Sequence, residues 1–144
     1  MSDPGPFRVL VIDDEPAVGR TLCLHLRLHG YECQACHDPA EALGLLEDGG
    51  EEPFHLVITD IVMPGLDGLS LIRRCRDEGN PVQFVVITAY HQLDRVVEAY
   101  RLGVLDYLVK PFEGLDQVTD LVRRAETRYR RWRELLAQAL ETGP

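Results

Sequence analysis

Lysine is almost absent from this sequence, because Lys110 is the only lysine among 15 basic residues and all the others are arginines. An ammonium group is a compact charge on a thin stem, whereas a guanidinium group is a broad planar fork. A single lysine in a chain that otherwise uses arginine therefore indicates a narrow site that needs one small cation. Because Lys110 follows an apolar run and precedes Pro111, we expect it at the end of a strand.

Long apolar runs are missing too. No stretch approaches the roughly 20 apolar residues that are needed to span a bilayer. The N-terminal MSDPGPFR has no basic segment followed by an apolar one, which argues against a secretory signal. We therefore expect a cytoplasmic chain without a membrane partner, and its 144 residues with 45% hydrophobic content are typical of one domain with a sizeable core.

Cysteine is scarce, with four in the chain. That number does not indicate a disulfide framework at this length, so we expect reduced thiols. Cys33 and Cys36 have CxxC spacing, but residues three apart in a strand face opposite sides of the sheet. We therefore predict neither a metal site nor a disulfide between these two residues.

Positive charge is also in short supply, since the net charge is −9. Residues 1–116 carry 9 basic and 20 acidic groups, a balance of −11, whereas residues 117–144 carry 6 basic and 4 acidic groups, a balance of +2. An acidic body argues against nucleic acid as a direct partner and suits the binding of a cation.

Apolar runs alternate with longer amphipathic stretches, a pattern that predicts five strand–helix pairs. The predicted strands are 8–13, 31–36, 54–60, 83–89 and 105–110. The predicted helices are 16–30, 39–48, 68–77, 93–103 and a long one from about 115 to 139. Strict alternation predicts an α/β fold, a doubly wound five-stranded parallel sheet with helices on both faces and an extended C-terminal helix.

Polar side chains end four of the predicted strands. Asp13 and Asp14 end the first strand, Asp60 the third, Thr88 the fourth and Lys110 the fifth. The carboxyl ends of parallel strands meet at one edge of the sheet, where ligands bind in such folds. Uncompensated carboxylates would repel one another and raise at least one pKa. Mg²⁺, or alternatively Mn²⁺, would remove that repulsion, and Mg²⁺ prefers carboxylates, water and phosphate oxygens.

The segments VLVIDDE, LVITDIVMPGLDG, VVITAY and DYLVKPF resemble the receiver domain of two-component response regulators, in their order and spacing. The resemblance runs from about residue 7 to residue 124. It implies a flavodoxin-like fold with strand order 2-1-3-4-5. We therefore expect a receiver domain over residues 1–124 and a C-terminal helical extension over residues 125–144.

The resemblance implies roles for the residues at the strand ends. Asp60 is similar to the aspartate that accepts a phosphoryl group from a histidine kinase or a phosphotransfer protein. Asp13, Asp14 and Asp60 would hold Mg²⁺ together with the backbone carbonyl of Val62. Lys110 would contact first the Asp60 carboxylate and then its phosphoryl oxygens.

Two further residues resemble the switch of this family. The hydroxyl of Thr88 would donate to the phosphoryl group, and Tyr107 would then turn inwards and reshape the surface formed by the fourth helix, the fifth strand and the fifth helix. Such a chain signals to a protein partner or an output domain and is not an enzyme acting on other molecules. The resemblance also implies a cis peptide bond between Lys110 and Pro111.

Val62 and Tyr90 occupy positions that flank the path of the hydrolytic water in receivers. One side chain is apolar and the other is aromatic, so neither readily orients water and both can obstruct it. We predict slow autodephosphorylation of Asp60.

The last predicted helix carries a heptad seam, with apolar residues at alternating spacings of three and four: Leu115, Val118, Val122, Ala125, Tyr129, Trp132, Leu136 and Ala139. Its first half is expected to pack on the sheet. Its second half has no sheet left to cover, so it could form a homodimer, bind another partner or lead into a further domain.

Two other classes of protein compete with this interpretation. An enzyme with an aspartyl-phosphate intermediate, such as a dehalogenase-like phosphatase, needs an acid two positions after the nucleophile, where this chain has Val62. A receiver-like scaffold that is never phosphorylated does not require the complete set of acids, hydroxyl and lysine. Both observations favour a phosphorylation-switched signalling module.

Overall fold

The structure is a computed structural model that describes residues 5–47, 52–89 and 92–141, without the side chain of Leu93. The strands are β1 (Arg8–Ile12), β2 (Glu32–Cys36), β3 (Leu56–Asp60), β4 (Gln83–Ala89) and β5 (Asp106–Lys110). The helices are α1 (Pro16–Leu28), α2 (Pro39–Glu47), α3 (Gly68–Asp77), α4 (Leu93–Arg101) and α5 (Asp116–Glu141). The predicted alternation is confirmed, and every boundary lies within two residues of its predicted position.

All five strands form one sheet in the order β2-β1-β3-β4-β5, and every pairing is parallel. The predicted strand order is therefore confirmed. In the register of the sheet, Asp60 lies beside Ile87 and Lys110 lies beside Ala89. The carboxyl ends of β1, β3, β4 and β5 consequently meet at the same edge.

Each face of the sheet has its own apolar core. Alternate residues of β1 face opposite sides, with Val9 and Val11 in one core and Leu10 and Ile12 in the other. The first core is covered by α1 and α5, and the second by α2, α3 and α4. Because the central strands are covered on both sides, their sequences are continuously apolar.

Aspartates fix the starts of two helices. Asp38 Oδ1 accepts a hydrogen bond from Ala40 N at 3.0 Å, so it caps α2. Asp67 Oδ1 accepts from Ser70 N at 2.8 Å at the start of α3, and its Oδ2 forms an ion pair with Arg95 of α4 at 3.0 Å. Burial disfavours the charged form of Asp67, but these hydrogen bonds outweigh it and lower the pKa of the carboxyl group.

The long helix α5 has two different halves. Val118, Val122 and Ala125 of its first half are buried against the sheet, as predicted. In its second half Trp132 and Leu136 are 57% and 60% exposed. Among the described residues, no helix, α5 included, is both long and apolar enough to cross a membrane.

The cysteines contradict the sequence-based expectation. Cys23 of α1 and Cys33 of β2 form a disulfide with their Cα atoms 5.2 Å apart, whereas Cys36 and Cys75 are free and buried. The expectation of reduced thiols is therefore wrong for two of the four cysteines. Cys33 and Cys36 do face opposite cores, as strand geometry requires.

Gly68, the first residue of α3, lies directly against the last residue of β3. Its N–H donates to the Ile61 carbonyl at 2.8 Å. A Cβ atom at this position would overlap the Asp60 carbonyl oxygen and lie 3.1 Å from Ile61 Cα. Only glycine lets α3 begin this close to the end of β3, so the residue sets the packing of α3 against the edge of the sheet.

We predict that Gly68→Ala lowers the free energy of unfolding by about 1–3 kcal/mol, because neither backbone neighbour of the new methyl group can move freely. Thermal and urea unfolding measure the change. Gly44→Ala is the matched control, because Gly44 lies in α2 with nothing within 4 Å of a built Cβ. That variant should gain roughly 0.5–1 kcal/mol from helix propensity. Equal stabilisation by both substitutions would contradict the close approach.

Candidate functional site

Lys110 lies at the centre of the polar cluster at the carboxyl edge of the sheet. Its Nζ is 3.0 Å from Asp60 Oδ2, 2.9 Å from Asp13 Oδ2 and 3.3 Å from Glu15 Oε1. The side chains of Asp13 and Asp60 are buried, so water screens these attractions only weakly. Lys110 therefore meets the Asp60 carboxylate, where the sequence led us to expect it.

This packing of charges shifts the pKa values of both Asp60 and Lys110. Burial raises the pKa of Asp60, and the Asp13 charge adds to that increase, while Lys110 opposes it. Burial alone would lower the pKa of Lys110, but its contacts with Asp13 and Asp60 outweigh burial and raise it above the usual value. Lys110 is thus a fixed positive charge at neutral pH, and the pKa of Asp60 is raised mainly by burial, with the Asp13 charge as a smaller cause.

The acidic groups have the composition of a site for a small divalent cation. Asp13, Asp14 and Asp60 each offer a carboxylate oxygen, and these atoms lie within 4.8 Å of one another. Asp13 Oδ2 is buried and lies 2.9 Å from the Lys110 ammonium. Asp14 is exposed on the solvent side of the cluster. Mg²⁺ prefers carboxylate oxygens and retains several waters, so these residues fit it.

Backbone N–H groups orient the two buried aspartates. Asp13 Oδ1 accepts from Glu15 N at 2.9 Å, and Asp13 N donates to the Cys36 carbonyl at 3.1 Å. Asp60 Oδ1 accepts from Val62 N at 3.2 Å. The remaining Asp60 oxygen faces Lys110. The role predicted for the Val62 carbonyl stays a prediction.

Among the described residues, neither of the predicted switch residues, Thr88 and Tyr107, has a hydrogen bond with Asp60. Thr88 is fully buried, and its Oγ1 donates to the Ala89 carbonyl at 3.1 Å. Tyr107 of β5 is 42% exposed, with its side chain accessible to solvent. The switch roles therefore stay predictions.

Also relevant to the site are the peptide bond before Pro111 and the residues Tyr90 and Glu15. The Lys110–Pro111 peptide bond is cis. Tyr90, predicted to shield the acceptor, lies outside the described residues. Glu15 also contacts Lys110, which the sequence did not predict. Its position directly after two aspartates was the only available signal.

Comparison with known proteins identifies the family. The family described as response regulator receiver domain matches residues 9–123. The response regulator protein FleR of Pseudomonas aeruginosa is 41% identical over 117 residues, which are 81% of this chain and 24% of that protein. The regulatory protein AtoC of Escherichia coli is 34% identical over 138 residues, which are 94% of this chain and 29% of that protein.

A solved structure shows the same fold. A response regulator receiver protein from Pseudomonas putida is 28% identical, with a TM-score of 0.77, and the match covers 85% of this chain and 99% of that one. The chain spans less than a third of the length of FleR or AtoC. It belongs to the response regulator receiver family, the signalling domains of two-component systems, which are not classical enzymes.

Proposed function

We propose that this receiver accepts a phosphoryl group on Asp60 from a histidine kinase or a phosphotransfer protein. The observation that carries the proposal is the position of the Lys110 ammonium, within 3.0 Å of an oxygen of Asp60 and 2.9 Å of an oxygen of Asp13. A carboxylate that attacks phosphorus must approach a group that is already anionic. A fixed cation beside the acceptor lowers that electrostatic barrier.

Positioning and charge supply most of the catalysis of phosphoryl transfer. The Val62 N–H holds one oxygen of Asp60 and fixes the orientation of the carboxylate. Lys110, already beside the other oxygen, then contacts the phosphoryl oxygens as they arrive. Asp13, Asp14, Asp60 and the Val62 carbonyl would hold Mg²⁺, or Mn²⁺ in its place, which when bound neutralises charge on the phosphoryl oxygens.

Phosphorylation adds about −1.5 to −2 charges and new acceptor oxygens at Asp60. The Thr88 hydroxyl, which now donates to Ala89, can rotate towards those oxygens and draw the end of β4 inward. Tyr107 then turns from solvent into the space that is vacated. The surface of α4, β5 and α5 changes shape, and a protein partner or an output domain reads that change.

We predict that acetyl phosphate with Mg²⁺ adds the mass of one phosphoryl group to the intact chain and none to Asp60→Asn. Lys110→Arg should be labelled several-fold more slowly, because a planar guanidinium does not fit the space between two carboxylates. Intact-mass spectrometry over time measures both effects.

Asp77→Asn is the control for this experiment, because it removes an exposed carboxylate at the last residue of α3, the far end of that helix from the site. It should be labelled like the parent. Labelling that persists in Asp60→Asn would contradict the proposal. Turnover of an external phosphate ester would favour an aspartyl-phosphate enzyme, and no labelling of the parent would favour a scaffold.

We also propose that phospho-Asp60 is long-lived. Val62 is 45% exposed beside the acceptor, and its apolar side chain offers no group that orients an attacking water. We predict faster decay of phospho-Asp60 in Val62→Asn and in Tyr90→Glu, measured after removal of the phosphoryl donor. Val97→Asn changes a similarly exposed valine on α4 and should decay like the parent. If neither variant at Val62 or Tyr90 is faster, the shielding idea is wrong.

We further propose that residues 1–124 are the receiver and residues 125–144 a helical extension that pairs with a second copy. Tyr129 packs partly against the core, and Trp132, Leu136 and Leu140 continue the same side of α5 into solvent. Leu140 is 85% exposed. The last 16 residues of α5 extend the seam by about 24 Å. A second copy supplies an identical seam, so the pair closes symmetrically.

Light scattering of the full chain, with and without beryllofluoride as a phosphoryl mimic, tests the pairing. We expect a dimer mass in at least the activated state, and a monomer for Leu136→Glu because a buried, unpaired carboxylate would be costly. Thr127→Glu, on an exposed position away from the seam, should pair like the parent. A monomer mass for the parent in both states would contradict the pairing.

A further inference from the structure

The Cys23–Cys33 bridge crosses a tight contact between α1 and β2. Cys23 lies on the buried side of α1 and is 1% exposed, whereas Cys33 on β2 is 8% exposed. One helical turn before Cys23, a Cβ atom on Gly19 would lie 3.0 Å from Ala35 Cβ. The backbone of α1 thus approaches β2 closely, and this approach brings the two sulfur atoms together.

The two cysteines differ in their exposure, at 1% for Cys23 and 8% for Cys33. An open cleft of about 410 Å³ lies beside β2 and is lined by Cys33 together with Arg8, Arg27, Tyr31 and other residues. The guanidinium of Arg27 donates to the Cys33 carbonyl at 3.1 and 2.6 Å and forms part of this cleft. Cys23 does not line it. Cys33 is therefore the more accessible residue of the pair.

The other two thiols do not compete for this chemistry. Cys36 and Cys75 are free and belong to the core on the opposite face of the sheet. Neither of them lines the cleft.

We propose that Cys23 and Cys33 are a reversible dithiol–disulfide couple that exchanges with small thiols and disulfides at Cys33, the more exposed of the two. During oxidation, the Cys33 thiolate attacks a small disulfide and expels one small thiolate. The Cys23 thiolate then attacks the Cys33 sulfur of the mixed disulfide and expels the second. The protein gives up two electrons and two protons, and the small disulfide becomes two thiols. Two small thiols reverse both steps.

The bridge has a mechanical consequence for the domain. It links two residues that are ten apart in sequence and fastens α1 to β2. Closing such a loop restricts the unfolded chain and so stabilises the folded one. Both elements lead towards the acidic cluster, because α1 begins directly after Glu15 and the Cys36 carbonyl accepts from Asp13 N. The thiol–disulfide exchange itself uses only Cys23 and Cys33, so it does not require phosphorylation of Asp60.

Thiol counting on the full chain tests the proposal. The protein is equilibrated with oxidised glutathione or with dithiothreitol, quenched in acid, unfolded and alkylated with iodoacetamide. We expect the labels to fall from four cysteines to Cys36 and Cys75 alone after oxidation, with peptide mapping of the bridge. The melting temperature should be about 5–10 °C higher in the oxidised form. Labelling of all four cysteines after oxidised glutathione, or equal melting temperatures, would overturn the proposal.

Two variants separate the couple from general thiol effects. Cys23→Ala should lose the redox-dependent melting shift and retain one glutathione on Cys33, because no second thiol completes the exchange. Cys75→Ala, which removes a buried free thiol, should keep the full shift. A glutathione on Cys36 or Cys75 of the parent, in place of the bridge, would contradict the assignment. These counts on the parent chain decide the outcome even if Cys23→Ala folds poorly.

Discussion

The attraction between one ammonium group and two buried carboxylates is the interaction on which the carboxyl edge of the sheet depends. Asp13 directly follows β1, Asp60 ends β3 and Lys110 ends β5, so Lys110 reaches past the end of β4. Neighbouring strands are about 4.8 Å apart, so a long, thin side chain must span the end of one strand. The small Thr88 and Ala89 end that strand and leave a path for it. Without Lys110 the two buried carboxylates would lack a neutralising charge, and without the carboxylates the partly buried ammonium would be unpaired.

Much of this arrangement follows from the sequence, because its causes are local or topological. Runs such as FVVIT at 84–88 identify buried strands, and alternation with amphipathic stretches implies parallel pairing. Parallel pairing then gathers the strand ends, and the convergence of Asp13, Asp60 and Lys110 needs no further information. The contact of Glu15 with Lys110 is different, since it depends on the course of one short loop in which Glu15 N donates to Asp13.

The features that the sequence did not reveal are those that depend on how two distant elements meet. The CxxC spacing drew attention to Cys33 and Cys36, which strand geometry keeps apart. The partner of Cys33 is Cys23, and that pairing depends on the rotation and height of α1 over β2, which no local pattern encodes. In the same way, the glycine of a loop sequence such as LDG signals only conformational freedom. The contact of Gly68 with the backbone of Asp60 appears only when α3 is placed against β3.

β5 lies at the edge of the sheet, apart from the central strand that carries the proposed phosphorylation site. Within the described residues β5 pairs with β4 alone, whereas β1 and β3, at whose ends the buried acids lie, each pair with a strand on both sides. Displacing β5 therefore strains the hydrogen bonds to one neighbouring strand. Displacing β3 would strain the hydrogen bonds to two strands and open both apolar cores. Asp60, the proposed phosphorylation site, ends a central strand, whereas Tyr107 lies on a strand at the edge of the sheet. In such a domain, β5 can shift and change the surface around it while β1 and β3 keep their strand pairing beside the acidic residues.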